Sequence, residues 1–394
     1  MARVLLRRVL LGLLAVSALA CLARPALACP FCTMQGVTLT KDVGDASMVL
    51  YGTLSNAKPD GDGGGTTDFA IEEVVKEHAI RGDKKVLTVN KFLPPGDAKE
   101  KLKFLLLFDV FKGKTDLFRL VVVKDGSDIV KYLQGALKVR GESLGARLRF
   151  FFDYLDNADI EISNDAYKEF GNADYKDYRD MAKKLPADKI AKWLEDPNTP
   201  AFRYGLYASM LGHCGTEKHG ELLRKMLDDP KVRAGSGVDG VFAGYVMLKP
   251  KDGWKYLRGV LADPKQEFMV RYAALRSIRF FWESRPDVID KKQLVEGVAL
   301  LLDDGTIADL AIEDLRKWQR WEVCDRVLGL FGKKSHDVPI VRRSILRYAL
   351  SCPAAKAEEF VKEQRQKDKD WVNDVEELLR LETGAANKPA SASK

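Results

Sequence analysis

WLEDPNTPAFRYGLYASMLG (193–212) and VLADPKQEFMVRYAALRSI (260–278) follow one plan. A leucine closes one helix, an aspartate (Asp196, Asp263) stands where the next begins, and a proline (Pro197, Pro264) follows it. An aspartate at an N-cap accepts from the orphan N–H groups of a first turn, and proline at the first helical position gives up an N–H that had no partner. Seven or eight residues on, an arginine follows an apolar residue: Arg203 in FR and Arg271 in VR. YLDNADIEISNDAYKEF (154–170), MLDDPKVRAGSGVDGVFAGYVML (226–248), LLLDDGTIADLAIEDLRKW (300–318) and, more loosely, KSHDVPIVRRSILRYAL (334–350) are variations on it. Their leading leucines, Leu155, Leu194, Leu227, Leu261 and Leu301, are spaced 39, 33, 34 and 40 residues. A period in this range marks stacked helix pairs that share a continuous core. The expectation is an all-α solenoid of about six repeats over 143–382.

Upstream the period is that of strands. SMVLYGTLSN, TTDFAIEEVVKE, KKVLTVNKF, KLKFLLLFDVF and LFRLVVVKDG, between Ser47 and Gly126, are rich in β-branched and aromatic residues. NAKPDGDGGGTT, IRGDK, LPPGDAKE and KGKT punctuate them with turn residues. Five short strands suit a small closed or nearly closed barrel, which removes exposed edges. SDIVKYLQGAL follows, with Ser127 as N-cap and Ile129, Leu133 and Leu137 on one helical face. The fold class expected is therefore multidomain α and β: a small OB-like barrel with a C-terminal helix (29–140), then the solenoid. The stretch 383–394, TGAANKPASASK, has the small polar composition of a disordered tail.

Two resemblances attach to these residues. The Asp-Pro openings and the arginines of FR and VR resemble the HEAT repeat family, in which such an arginine reaches an aspartate of the turns and keeps neighbouring repeats in register. That resemblance assigns repeat stacking to Asp196, Arg203, Asp263, Arg271, Asp337 and Arg342, with Arg271 linking the turns of adjacent repeats. The repeats at Leu227 and Leu301 carry GVDGV and IADLAIEDL in place of the arginine, so apolar packing must set their register. DASMVLYGTL, TTDFAIEEVVKE and KLKFLLLF are similar to the core of netrin-like OB modules, the tissue metalloproteinase inhibitors among them. Those inhibitors present an N-terminal cysteine whose amine and carbonyl chelate a protease zinc. They also pin that cysteine to the barrel by disulfides, and this chain has no cysteine between Thr33 and His213.

The first 28 residues carry Arg3, Arg7 and Arg8, an apolar run from Val9 to Ala23, and Ala26-Leu27-Ala28, the small-x-small pattern cut by signal peptidase. The run is short of the ~20 apolar residues a membrane span needs. The expectation is an exported protein, periplasmic, envelope-bound or secreted, whose mature chain begins at Cys29 and keeps no membrane span. Cys21 and Cys29 each follow Leu-Ala, but three positions before each stands Ala and not the Leu of a lipoprotein signal. Of 394 residues, 366 remain after 28 are removed, more than one core usually serves. The formal charge of +7 loses Arg3, Arg7, Arg8 and Arg24 and becomes +3. What is left is interspersed charge and no basic footprint, which argues against nucleic acid.

ALACPFCTM (26–34) places the pair Cys29 and Cys32 at the new end. Thr33 after Cys32 excludes haem attachment, which needs His there. A redox couple would want a helix N-terminus after a strand, and a metal site would want two more ligands. The plainest reading is a local disulfide or thiol pair that anchors the free end on the barrel, with redox exchange, metal binding and lipid attachment left open beside it. GHCGTEKHG (212–220) matches no zinc spacing and reads as a structural Cys214 with a loop histidine. DYLDNADIEISND (153–165) lacks calcium-loop order and reads as a solvated helix start. In DLRKWQRWEVCDRVLGLF (314–331), Arg316, Trp318, Arg320 and Trp321 form a candidate contact for a protein partner, core packing being the plainer alternative. No catalytic constellation stands out, and the chain has only four histidines for acid–base work. The function expected is binding another protein of the cell envelope through the solenoid surface, without a cofactor. The alternatives are a thiol-redox or metal protein using Cys29 and Cys32, and a netrin-like protease inhibitor.

Overall fold

A computed structural model describes residues 29–61, 64–94 and 102–386; the signal segment read in 1–28 lies outside them, as does most of the tail. The chain divides into two compact units, 28–206 and 207–394. The boundary falls inside a helix and not at the sheet-to-helix transition near Ser143, so the first unit holds the sheet together with the early helices.

In the first unit, β1 (Met48–Pro59), β2 (Gly65–Lys76), β3 (Val86–Val89), β4 (Lys103–Phe111) and β5 (Lys114–Val123) form one antiparallel sheet in the order β3-β2-β1-β4-β5. β4 turns into β5 through Lys112 and Gly113, both at positive φ (48° and 73°), the conformation that matches the twist of a two-residue hairpin. The expected closed barrel is not seen. The sheet is open, with β3 and β5 at its edges. The edges nevertheless curl toward each other: Val89 of β3 and Leu117 of β5 share one core with Met48, Leu50, Phe69, Phe104 and Leu106. Lys91, just past β3, donates to the Leu117 carbonyl. Phe104 to Phe108 is buried at every position, so both faces of β4 are covered.

One helix escaped the sequence reading: α1 (Leu39–Asp45), capped by the Thr38 hydroxyl, which accepts from the Lys41 N–H at 3.1 Å. Seven residues with few apolar positions leave little periodicity to detect. α2 (Ile129–Val139) is the helix expected after the strands. Its N-cap is Asp128, while Ser127 accepts from Ile129 N–H at 3.2 Å. Gln134 of α2 donates to the Val74 carbonyl of β2 at 3.3 Å, tying helix to sheet. From α3 (Leu144–Phe152), capped by Ser143, every regular element is helical. Counting α2, seventeen α-helices follow the sheet among the described residues, and the last runs through Ala386, four residues into the stretch read as tail.

The Asp-Pro openings work as caps with one modification. Asp229 caps the helix Pro230–Ala234 directly, accepting from Lys231 N–H at 2.8 Å. Asp196 and Asp263 make the same turn, accepting from Asn198 N–H (2.8 Å) and Lys265 N–H (2.9 Å). Their α-helices start later, at Tyr204 and Phe268, after a short irregular stretch.

Candidate functional site

Cys29 and Cys32 are joined in a disulfide, with S–S 2.11 Å and Cα–Cα 5.4 Å. They sit in a tight turn closed by Cys32 N–H to the Cys29 carbonyl, 3.3 Å, and not at a helix N-terminus. The segment that follows the pair is held on a helix, where the sequence pointed to the barrel. The helix is α4 (Ile160–Gly171). Thr33 N–H donates to Tyr167 Oη (3.3 Å), and Gly36 exchanges hydrogen bonds with the Asn172 amide (3.0 and 2.8 Å). Phe31, between the cysteines, is 1% exposed and Cys29 is 2% exposed. Met34 passes so close that a Cβ on Gly171 would lie 2.1 Å from its carbonyl oxygen.

Two carboxylates one helical turn apart on α4 complete the clamp. Asp165 takes the Leu39 N–H, the Thr40 N–H (3.2 Å) and Tyr132 Oη–H (2.9 Å); Glu169 takes the hydroxyls of Thr38 (2.6 Å) and Thr40 (2.7 Å). The solvated reading of Asp165 therefore fails: the carboxylate is buried, and two of its donors come from a segment more than a hundred residues away in sequence. Of the other acids in that stretch, Asp159 caps α4 and also accepts from the Ser127 hydroxyl, and Asp156 accepts from Trp193 Nε1 at 2.8 Å.

Burial pushes the Asp165 carboxyl above its ordinary range, with the Glu169 charge adding to it, against the hydrogen bonds from Leu39, Tyr132 and Thr40. A carboxyl whose folded pKa is raised contributes stability that is complete below its unfolded value and is lost as pH rises through the folded one. Asp165→Asn cannot take up that proton. The variant is expected to lose ground to the wild-type protein as pH falls from about 7 to about 4, read as the difference in urea midpoints. A difference independent of pH would show that Asp165 gains no proton preference on folding.

Arg203 and Arg271 each reach residues far along the chain, and Arg342 meets Asp337. Arg203 is 6% exposed and donates to the Leu155 carbonyl, Ser163 Oγ (3.0 Å) and Asn164 Oδ1 (2.9 Å). Arg271, 3% exposed, pairs with Asp304 and donates to the Leu261 carbonyl at 3.2 Å. Asp304 opens the next turn and also accepts from Thr306 N–H at 2.9 Å. Asp196 and Asp263 serve their own turns. Asp337 and Arg342 meet at 3.3 Å as an exposed pair, of a kind worth little.

The four residues proposed for partner contact separate. Arg316 is 8% exposed and locked to Glu313 (2.8 Å) and Glu382 (2.9 Å), which also hold Arg347. Trp321 sets its ring edge-on to Tyr348 at 5.1 Å. Trp318 lies flat on Trp282, centroids 4.2 Å apart and planes at 14°. Arg320 (5.1 Å) and Lys291 (4.6 Å) approach the Trp282 ring, within the range of cation–π attraction. Gln319, at φ 56°, makes this possible: its left-handed turn lets Arg320 N–H reach back to the Leu315 carbonyl (2.9 Å) and returns the chain over the tryptophans. A side chain other than glycine pays roughly 1–2 kcal/mol for that conformation. The two rings and Arg320 are half-buried. Trp282, within the apolar run RFFWES, gave no signal that set it apart from core.

In GHCGTEKHG the histidine expected in an exposed loop, His219, is buried and takes the Thr216 N–H in a capping box at 3.0 Å. Burial pushes the Cys214 thiol up to about 11, and it donates to the Met210 carbonyl at 3.3 Å. Among the described residues no group of three or more His, Cys, Asp or Glu is placed to hold a metal ion, and no helix is long and apolar enough to cross a membrane. No protein-family model matches the chain, and the searches of curated proteins and of solved structures give no match either.

Proposed function

We propose that the chain is an exported envelope protein whose helical repeats bind another protein. The observation that carries this reading is the Trp282–Trp318 stack with Arg320 and Lys291 beside it. Tryptophan and arginine dominate the energetic centres of protein interfaces because they bury large rigid area beside a charge. Two cations on the rim suit a partner segment that carries a carboxylate next to an apolar side chain. The inter-repeat reach of Arg203 and Arg271 supports a HEAT-like stack. The curled five-stranded sheet supports an OB-like module, a design that is partly open in its own right.

The alternatives draw less support. A zinc-chelating N-terminus needs the amine and carbonyl of Cys29 in the open, and here the residue is buried with its carbonyl accepting from Cys32. A redox catalyst needs an accessible, activated sulfur, and the disulfide lies in a turn with no helix dipole behind it.

The test is capture from the native envelope by mild cross-linking, with Trp318→Ala and the exposed Lys265→Ala compared against wild type. The captured partner is expected to fall at least about tenfold for Trp318→Ala, as for a hot-spot residue, and to stay unchanged for Lys265→Ala. Equal capture by both variants would remove the tryptophan stack from the interface.

A further inference from the structure

We propose that Cys324 and Cys352 form a second disulfide, joining the start of the helix Cys324–Leu328 to the end of the helix Pro339–Ser351. Both are thiols in the structure and both are buried, 5% and 8% exposed. The contacts around them fix their approach. Tyr348 Oη donates to the Arg320 carbonyl at 2.5 Å, the Trp321 ring meets Tyr348, and Lys356 pairs with Asp325 at 2.8 Å. Residues 320–325 are thereby fastened along 348–356, and Cys324 and Cys352 both lie on that seam. The two thiols interact directly. Among the described residues Cys214, with its thiol donating within its own helix, is the odd cysteine left over.

The oxidant is a small-molecule disulfide such as glutathione disulfide. One cysteine thiolate attacks it, forming a mixed disulfide and expelling one glutathione thiolate. The second cysteine gives up its proton and attacks the protein-bound sulfur, and the second glutathione leaves. Two protein thiols are oxidised to one disulfide, and one disulfide is reduced to two glutathione thiols that take the two protons. Burial and the neighbouring thiol push Cys324 up to about 12, so in the finished fold that sulfur is almost never a thiolate, and both cysteines are shut away from an oxidant. The bond therefore closes while the chain is still folding and both sulfurs are open to the oxidant.

The experiment refolds the fully reduced full-length protein in a mixture of glutathione and its disulfide, alkylates it under denaturing conditions and maps the peptides by mass. The expected result is a fragment linking Cys324 to Cys352, two hydrogens lighter than its separate parts, with Cys214 alkylated. Alkylation of both Cys324 and Cys352, or a link from either to Cys214, would overturn the proposal. Native reduced protein in the same buffer should form the link at least about tenfold more slowly than refolding chains. Equal rates would refute closure during folding. In urea, dithiothreitol should lower the midpoint of the oxidised wild-type protein more than that of Cys352→Ala, which keeps only the Cys29–Cys32 bond. Equal losses would show that the second link does not form or does not constrain the chain.

Discussion

Arg271→Ala is expected to lower stability by about 3 kcal/mol, because it empties an enclosed site and leaves Asp304 and the Leu261 carbonyl without their donor. The guanidinium is almost wholly enclosed and serves two repeats at once, through Asp304 on one side and the Leu261 carbonyl on the other. Lys265→Ala is the control: it removes a cation from the exposed start of the same repeat and should stay within about 0.5 kcal/mol of wild type. Urea midpoints decide between them, and equal midpoints would mean that Arg271 does not hold the register. Acid supplies a second reading. Burial opposes ionisation of Asp304, but its hydrogen bonds from Thr306 and Arg271 and the Arg271 charge outweigh it and hold the carboxyl below its usual range. A carboxyl depressed in this way contributes stability above its unfolded pKa and loses it as pH falls through the folded one. The gap between wild type and Arg271→Ala should therefore narrow at low pH.

Phe31→Ala is expected to cost a similar amount, about 3–5 kcal/mol, because it empties a filled aromatic site at the clamp on α4. Replacing both Cys29 and Cys32 with alanine should cost less. Cross-linking constrains the unfolded chain in proportion to the logarithm of the loop, and so short a loop is worth about 2 kcal/mol. Thermal or urea unfolding of the two variants separates the contributions. If the double-alanine variant loses more than Phe31→Ala, the bond and not the ring is the anchor.

The strands and the long run of helices were legible because each is written locally. Alternation and turn residues announce β1 to β5, and the Asp-Pro turns after leucine mark where helices end and begin again. What escaped depends on partners far along the chain. Nothing near Asp165 hints that Leu39 and Thr40 will donate to it. Closure of the sheet depends on whether its edges pair, which no strand's own residues express. Trp282 hid because its neighbours Phe280 and Phe281 really are core. The partner of Arg271 could have been found: Asp304 lies 33 residues on, close to the repeat spacing, in an LDD motif like that at Asp229.

The clamp on α4 also governs the order in which the first unit can assemble. Leu39 and Asp165 are 126 residues apart, so the leading end has nowhere to dock until the whole sheet and three further helices exist. Contacts of such long range are costly to close and form late. The sheet thus folds inside a chain loop whose two ends meet last. A pull on the chain just before Cys29 would meet the clamp before it reached any strand, so resistance to force there is a property of α4.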